Sequence, residues 1–155
     1  MQRLEVMFPV EILLVEDNPG DARLAIEALK DGKVRNRINV VTDGEQALQY
    51  LKACHPYTQA VRPDLVLLDL NLPRKDGWQV LAEMLADPAL RSIPVAILTA
   101  SAAEQDVIKG YQLKATCYIV KPVDAEQLLA VVASVADFWI TVVSVHQGAV
   151  LGAVA

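Results

Sequence analysis

Between Pro63 and Gly77 the chain reads Pro-Asp-Leu-Val-Leu-Leu-Asp-Leu-Asn-Leu-Pro-Arg-Lys-Asp-Gly. Leu65 to Leu68 is an unbroken apolar run, closed off by Pro63 before it and by the turn formers Pro73 and Gly77 after it. A half-solvated strand would alternate apolar and polar residues; a run without alternation belongs to a strand buried on both faces of a parallel sheet. An ionisable residue, Asp69, stands where that run ends. Ligands of open α/β sheets gather at the carboxyl ends of the strands. Asp69 is therefore either a loop cap or the centre of a site, and the remaining runs decide which.

Four further stretches read as strands. Val10 to Val15 ends at Glu16-Asp17, and Asn18-Pro19-Gly20-Asp21 then supplies a turn and a helix start, with Asn18 or Asp21 as the cap. Ala22, Leu24, Ala25, Ala28 and Leu29 recur at helical spacing until Gly32. Ile38 to Val41 leads into Asp43-Gly44 and a helix through Ala47, Leu48 and Leu51, followed by a polar loop from His55 to Arg62. After the central strand, Trp78, Val80, Leu81, Met84 and Leu85 mark a helix that Asp87-Pro88 ends. Val95 to Leu98 ends at Thr99, Ala103 to Gly110 is a short helix, and Thr116 to Val120 ends at Lys121-Pro122. A last helix starts near Asp124 and carries Leu128, Leu129, Val132 and Val135. Strands that alternate with helices predict an α/β fold, a doubly wound five-stranded parallel sheet with helices on both faces and right-handed crossovers.

The chain has 155 residues, enough for one domain with a full core. Its 14 basic and 19 acidic residues leave a net charge of −5, which gives no general attraction to nucleic acid or an anionic membrane. Two cysteines, Cys54 and Cys117, are too few for a disulfide framework, and with His55 and His146 they lack zinc-ligand spacing. The N-terminus has no secretory pattern, so a cytoplasmic protein with reduced thiols is expected.

In a parallel sheet the strand ends lie along one edge, so Glu16, Asp17, Asp69, Thr99 and Lys121 are placed to converge. Two carboxylates about 4 Å apart repel by roughly 4 kcal/mol at an effective dielectric near 20. Lys121 offsets part of that repulsion, and a hard divalent cation with oxygen ligands suits the rest. Magnesium, which keeps open positions for phosphoryl oxygens, points to phosphoryl transfer onto a carboxylate. Asp69 would be the nucleophile, with Lys121 and the Thr99 hydroxyl stabilising the oxygens of a loose transition state. Taken singly, Glu16-Asp17 reads as a helix N-terminal charge pair, Asp69 as a loop cap and Lys121 as a surface charge. Taken together, polar residues at so many strand ends of one topology favour a site.

These residues carry a family resemblance. Val15-Glu16-Asp17-Asn18, Leu68 to Gly77, Leu98-Thr99-Ala100 and Tyr118-Ile119-Val120-Lys121-Pro122 are similar, in order, to the signature of two-component response regulator receiver domains. The likeness covers about Val10 to Asp137. Asn18 to Asp21, Asp43 to Ala47 and Pro63 to Leu65 most resemble the small stand-alone regulators of cyanobacterial phytochromes. The resemblance implies a flavodoxin-like strand order 2-1-3-4-5, with residues 1–137 as the receiver domain. It also implies that Asp69 accepts a phosphoryl group from a sensor histidine kinase. Asp17 and Asp69 would bind Mg²⁺ directly, Glu16 through water, and Asn71 through its backbone carbonyl. Thr99 and Lys121 would contact the phosphoryl group, and Tyr118 would be the aromatic switch. Glu16 stands where many members have Asp, and Asn71 and Ser101 lie where the family tunes access of water. Read as packing alone, Tyr118 would be an ordinary half-buried ring.

A haloacid-dehalogenase-like phosphatase needs a second Asp two residues after the nucleophile; that position is Asn71. A flavodoxin-like cofactor site would need a phosphate-cradling loop after strand one, where Glu16-Asp17 would repel the phosphate. A degenerate receiver acting only as a scaffold would lack site residues that this chain keeps. A DNA-binding domain would need about 60 more residues, so output is expected through protein contacts. Phe138 to Ala155 contains no Asp, Glu, Lys or Arg. It makes a poor transmembrane segment, with Thr141, Ser144, His146 and Gln147 in it. It is expected to extend the receiver and to form an interface, most simply that of a homodimer.

Overall fold

The structure, a computed structural model, describes residues 9–99 and 117–135. Five strands, β1 (Val10–Val15), β2 (Asn36–Val41), β3 (Leu65–Asp69), β4 (Val95–Thr99) and β5 (Cys117–Val120), form one parallel sheet of order β2-β1-β3-β4-β5. Between them lie α1 (Pro19–Lys30), α2 (Gly44–Leu51) and α3 (Gly77–Ala86), and a fourth helix, α4, covers residues 125–135. The doubly wound sheet and its strand order are as expected from the sequence. β2 begins at Asn36, two residues before the apolar run that marked it, because an edge strand is not obliged to be apolar throughout. The expected helix from Ala103 to Gly110, Ser101 and the apolar segment from Phe138 lie outside the described residues.

The unbroken runs find their explanation in the two cores. Side chains of a strand alternate between faces. Leu13 and Val15, Val66 and Leu68, and Val95 and Ile97 pack with Ala47, Leu48 and Tyr50 of α2 and Val80, Leu81 and Met84 of α3. Ile12 and Leu14, Leu65 and Leu67, Ala96 and Leu98, and Ile119 pack on the other face with Ala22, Ala25, Ala28 and Leu29 of α1 and Leu128, Val132 and Val135 of α4. Both faces carry apolar side chains, and the polar exception in β1 is Glu11, near the strand's start and paired with Arg37. Each buried apolar side chain contributes roughly 1.5–3 kcal/mol of burial. Truncating one, as in Leu67→Ala, is expected to cost about 2–5 kcal/mol.

Each helix start is fixed by local chemistry. The Asn18 side chain accepts from the Asp21 backbone N–H at 2.9 Å, which makes Asn18 the cap of α1, and Pro19 follows in the first turn. Asp43 caps α2, accepting from Gln46 N–H at 2.8 Å. Asp76 and Gln79 form a reciprocal capping box on α3. Two glycines then press the β3–α3 loop into place. A methyl group on Gly77 would meet Leu70 Cα at 2.6 Å, and one on Gly44 would meet the carbonyl carbon of Lys75 at 2.7 Å. The loop after Asp69 is thus held from both sides by backbone that only glycine permits.

A candidate phosphoacceptor and metal site at the strand ends

The alternation that sorts the core also sorts the site. Glu16 continues the series Ile12, Leu14; Asp69 continues Leu65, Leu67; Lys121 follows Ile119. All three therefore leave the sheet on the side of α1 and α4. The register sets Val15 beside Leu68, so Glu16 and Asp69 emerge next to each other. Lys121 is brought in by its backbone N–H, which donates to the Thr99 carbonyl at 2.8 Å and extends the β4–β5 ladder.

The result is a compact charge cluster. Lys121 Nζ lies 2.7 Å from Glu16 Oε1, 2.9 Å from Asp69 Oδ2 and 2.9 Å from Asp21 Oδ2. Glu16 is 1% exposed and Asp69 is 3% exposed, while Asp17 is open to solvent. One carboxylate oxygen from each of Glu16, Asp17 and Asp69 falls within 4.8 Å of the others. Asp69 Oδ1 accepts from the Asn71 backbone N–H at 3.0 Å, which orients the carboxylate and leaves Oδ2 facing Lys121. Thr99 is fully buried at the end of β4, and half-buried Tyr118 packs against the apolar cluster under α2 and α3. The structure thus gathers Glu16, Asp17, Asp69 and Lys121. Thr99 joins through its backbone contact with Lys121, and Tyr118 lies on the opposite face, beside the strand that ends in Thr99.

Sequence reasoning missed Asp21. In the turn after β1 its type suggests a cap, a role that Asn18 fills, whereas its carboxylate is a third partner of Lys121. The available signal was spacing: Asp21 stands one helical turn after Asp17, at the N-terminus of a helix that begins over the strand ends.

Four carboxylates around one ammonium leave an electrostatic deficit. Burial pushes the Glu16 carboxyl up to about 7, helped by its hydrogen bond to Asp69 and the charge of Asp69; Lys121 and the Asn18 N–H only partly oppose this. Burial works against the charged form of Lys121, but hydrogen bonds to Asp69, Glu16 and Asp21 outweigh it and hold the ammonium above its ordinary range. Glu16 Oε1, though 2.7 Å from Lys121 Nζ, accepts no well-directed hydrogen bond and is shut off from water. Its counter-charge is the Lys121 ammonium, which it shares with Asp69 and Asp21. The donors are all oxygens and the cluster is anionic, which fits a hard divalent ion.

A family model for the response regulator receiver domain matches residues 12–133. The chain belongs to that family. The receiver is a signalling domain, and phosphorylation by a kinase is the function of its family. Response regulator Rcp1 of Synechocystis sp. is 42% identical over 136 residues, covering 88% of this chain and 92% of Rcp1. The phosphorylated cyanobacterial phytochrome response regulator RcpA is 45% identical and superimposes with a TM-score of 0.71, covering 86% of this chain and 96% of RcpA. The Mn²⁺-bound form of Rcp1 is 43% identical at a TM-score of 0.70, over 84% of this chain and 94% of that one. A divalent ion in that receiver accords with the Glu16, Asp17 and Asp69 group found here. Among the described residues no helix is long and apolar enough to cross a membrane.

Proposed function

We propose that this receiver accepts a phosphoryl group on Asp69 from the phosphohistidine of a sensor histidine kinase of the phytochrome type. The observation that carries the reading is the position of Asp69 Oδ2: buried, 2.9 Å from the Lys121 ammonium, in a carboxylate whose other oxygen is tied to the Asn71 N–H. In the transfer, an Asp69 oxygen bonds to phosphorus as the phosphorus–nitrogen bond of the donor breaks, and the imidazole leaves with the electron pair. Lys121 pairs with the phosphoryl oxygens, and the Thr99 hydroxyl donates to them. Glu16, Asp17, Asp69 and the Asn71 carbonyl would hold Mg²⁺. When bound, the ion neutralises charge on the transferring oxygens and offsets the repulsion that an incoming phosphate meets here.

Signalling follows by population shift rather than by turnover of an external substrate. Thr99 moves toward the phosphoryl group, and Tyr118 fills the space it vacates. Residues 1–137 form the receiver, and 138–155 extend it as an apolar interface segment through which a cytoplasmic homodimer forms, together with the last strand and helix. Two relatives named for phytochrome signalling, at 42% and 45% identity over most of the chain, support the choice of kinase.

Incubation with acetyl phosphate and Mg²⁺ tests the core of this reading. One base-labile phosphoryl adduct per chain is expected by intact mass, absent in Asp69→Asn and in EDTA. Labelling at another residue, or none, would overturn it. For the tail, light scattering of a chain truncated after Asp137 should give a monomer; a dimer of unchanged stability would remove the segment from the interface.

A further inference from the structure

We propose that Asp21 is a positioning residue that keeps the Lys121 ammonium at the mouth of the pocket when Glu16 and Asp69 turn to a divalent cation. The inference rests on the phosphoacceptor reading above and adds a residue to it.

An ammonium has three donors, and here each faces a different carboxylate: Glu16, Asp69 and Asp21. Two of these acids belong to the group whose oxygens cluster within 4.8 Å, together with Asp17; Asp21 does not. A dication drawn to Glu16, Asp17 and Asp69 takes up the charge that holds Lys121 and repels the ammonium itself. Lys121 then keeps a single partner, Asp21. Asp21 suits that task because its backbone is fixed in the first turn of α1 by the Asn18 cap, and its side chain is one-third exposed, on the outer side of the pocket. Glu16 and Asp69 are almost fully buried. Lys121 is therefore held between an inner pair of acids and an outer one. Without the outer acid it would fall onto the inner pair and compete with the cation for the same oxygens. With it, the ammonium stays within reach of Asp69 Oδ2, where a phosphoryl group would need it.

A simpler role exists for any acid in a first helical turn, which favours the positive end of the helix dipole. That role, like a general contribution to the pocket's negative field, does not pass through Lys121. A double-mutant cycle separates them. Mg²⁺ is titrated calorimetrically into the full chain as wild type, Asp21→Asn, Lys121→Met and the double variant. Asp21→Asn is expected to weaken Mg²⁺ binding about tenfold with Lys121 present and less than about threefold in the Lys121→Met background. Equal losses in both backgrounds, or none with Lys121 present, overturn the role of Asp21. A wild-type protein that takes up no Mg²⁺ overturns instead the reading of the pocket. Should Lys121→Met not fold, the Lys121 ammonium is followed directly by nitrogen NMR in Mg²⁺. Its proton exchange should be slow in wild type and fast in Asp21→Asn, and slow exchange in both overturns the proposal.

Discussion

Two acids are buried at the ends of adjacent strands, Glu16 after β1 and Asp43 after β2, and their situations are opposite. Asp43, 5% exposed, has a separate partner for each oxygen. Oδ1 caps α2 through the Gln46 N–H at 2.8 Å, and Oδ2 lies 3.8 Å from the Arg74 guanidinium. Glu16, 1% exposed, has a long bond of 3.2 Å from the Asn18 N–H to Oε2, and its Oε1 lies 2.7 Å from a Lys121 ammonium already shared with Asp69 and Asp21. Both residues cost desolvation; Asp43 recovers it from a helix cap and a long ion pair, Glu16 from one ammonium that Asp69 and Asp21 share. A buried carboxylate whose counter-charge is divided among three acids marks a place where a further cation fits. Burial alone does not distinguish a site from a scaffold; the satisfaction of the buried charge does.

The largest effect expected from this contrast is on phosphoryl uptake. Asp69→Asn should abolish labelling by acetyl phosphate, a loss of more than about 100-fold, while Asp43→Asn should leave labelling measurable by intact mass. Loss in both would erase the distinction between site acid and cap.

Next in size is a pH dependence belonging to Glu16. Its carboxyl is raised from 4.5 to about 7 in the fold, so between those values the folded chain holds a proton that the unfolded chain has released. Stability from this group is therefore fully present below 4.5 and lost as pH rises through about 7, a fall of roughly 3 kcal/mol. Urea unfolding in EDTA at pH 5 and pH 8 should show that fall in wild type and its absence in Glu16→Gln. Saturating Mg²⁺ should flatten it as well, because the cation replaces the proton. A wild-type slope indistinguishable from that of Glu16→Gln would mean the fold does satisfy this charge.

Asp43→Ala removes a helix cap and a buried acceptor and should cost about 1–2 kcal/mol in the same unfolding experiment, at pH 5 and pH 8 alike. The smallest change is expected at Arg74, whose side chain is 67% exposed: Arg74→Ala should cost no more than about 0.5 kcal/mol through the ion pair. A larger loss there would show that Asp43 depends on Arg74 as well as on the α2 N-terminus.

Much of this was legible in the chain. Leu65 to Leu68 could only be a strand covered on both sides, and residues following such runs could only lie on one edge of the sheet. Glu16, Asp17, Asp69 and Lys121 were found from that argument because strand ends are a local property. The cap of α1 was ambiguous, since Asn18 and Asp21 compete three residues apart, and the caps Asp43 and Asp76 emerged only from the structure.

By itself, then, the sequence determined the elements, their order, and which residues end them, since apolar runs, caps and glycines act over a few residues. Tertiary structure alone decided that Asp21 reaches Lys121 across 100 positions, that Asp43 pairs with Arg74, and that Glu16 has to share one ammonium with Asp69 and Asp21. Those outcomes depend on strand register and on how α1 and the β3–α3 loop seat against the sheet edge. Electrostatic partnership is set by distances of a few ångström between segments remote in the chain, and no local pattern encodes it.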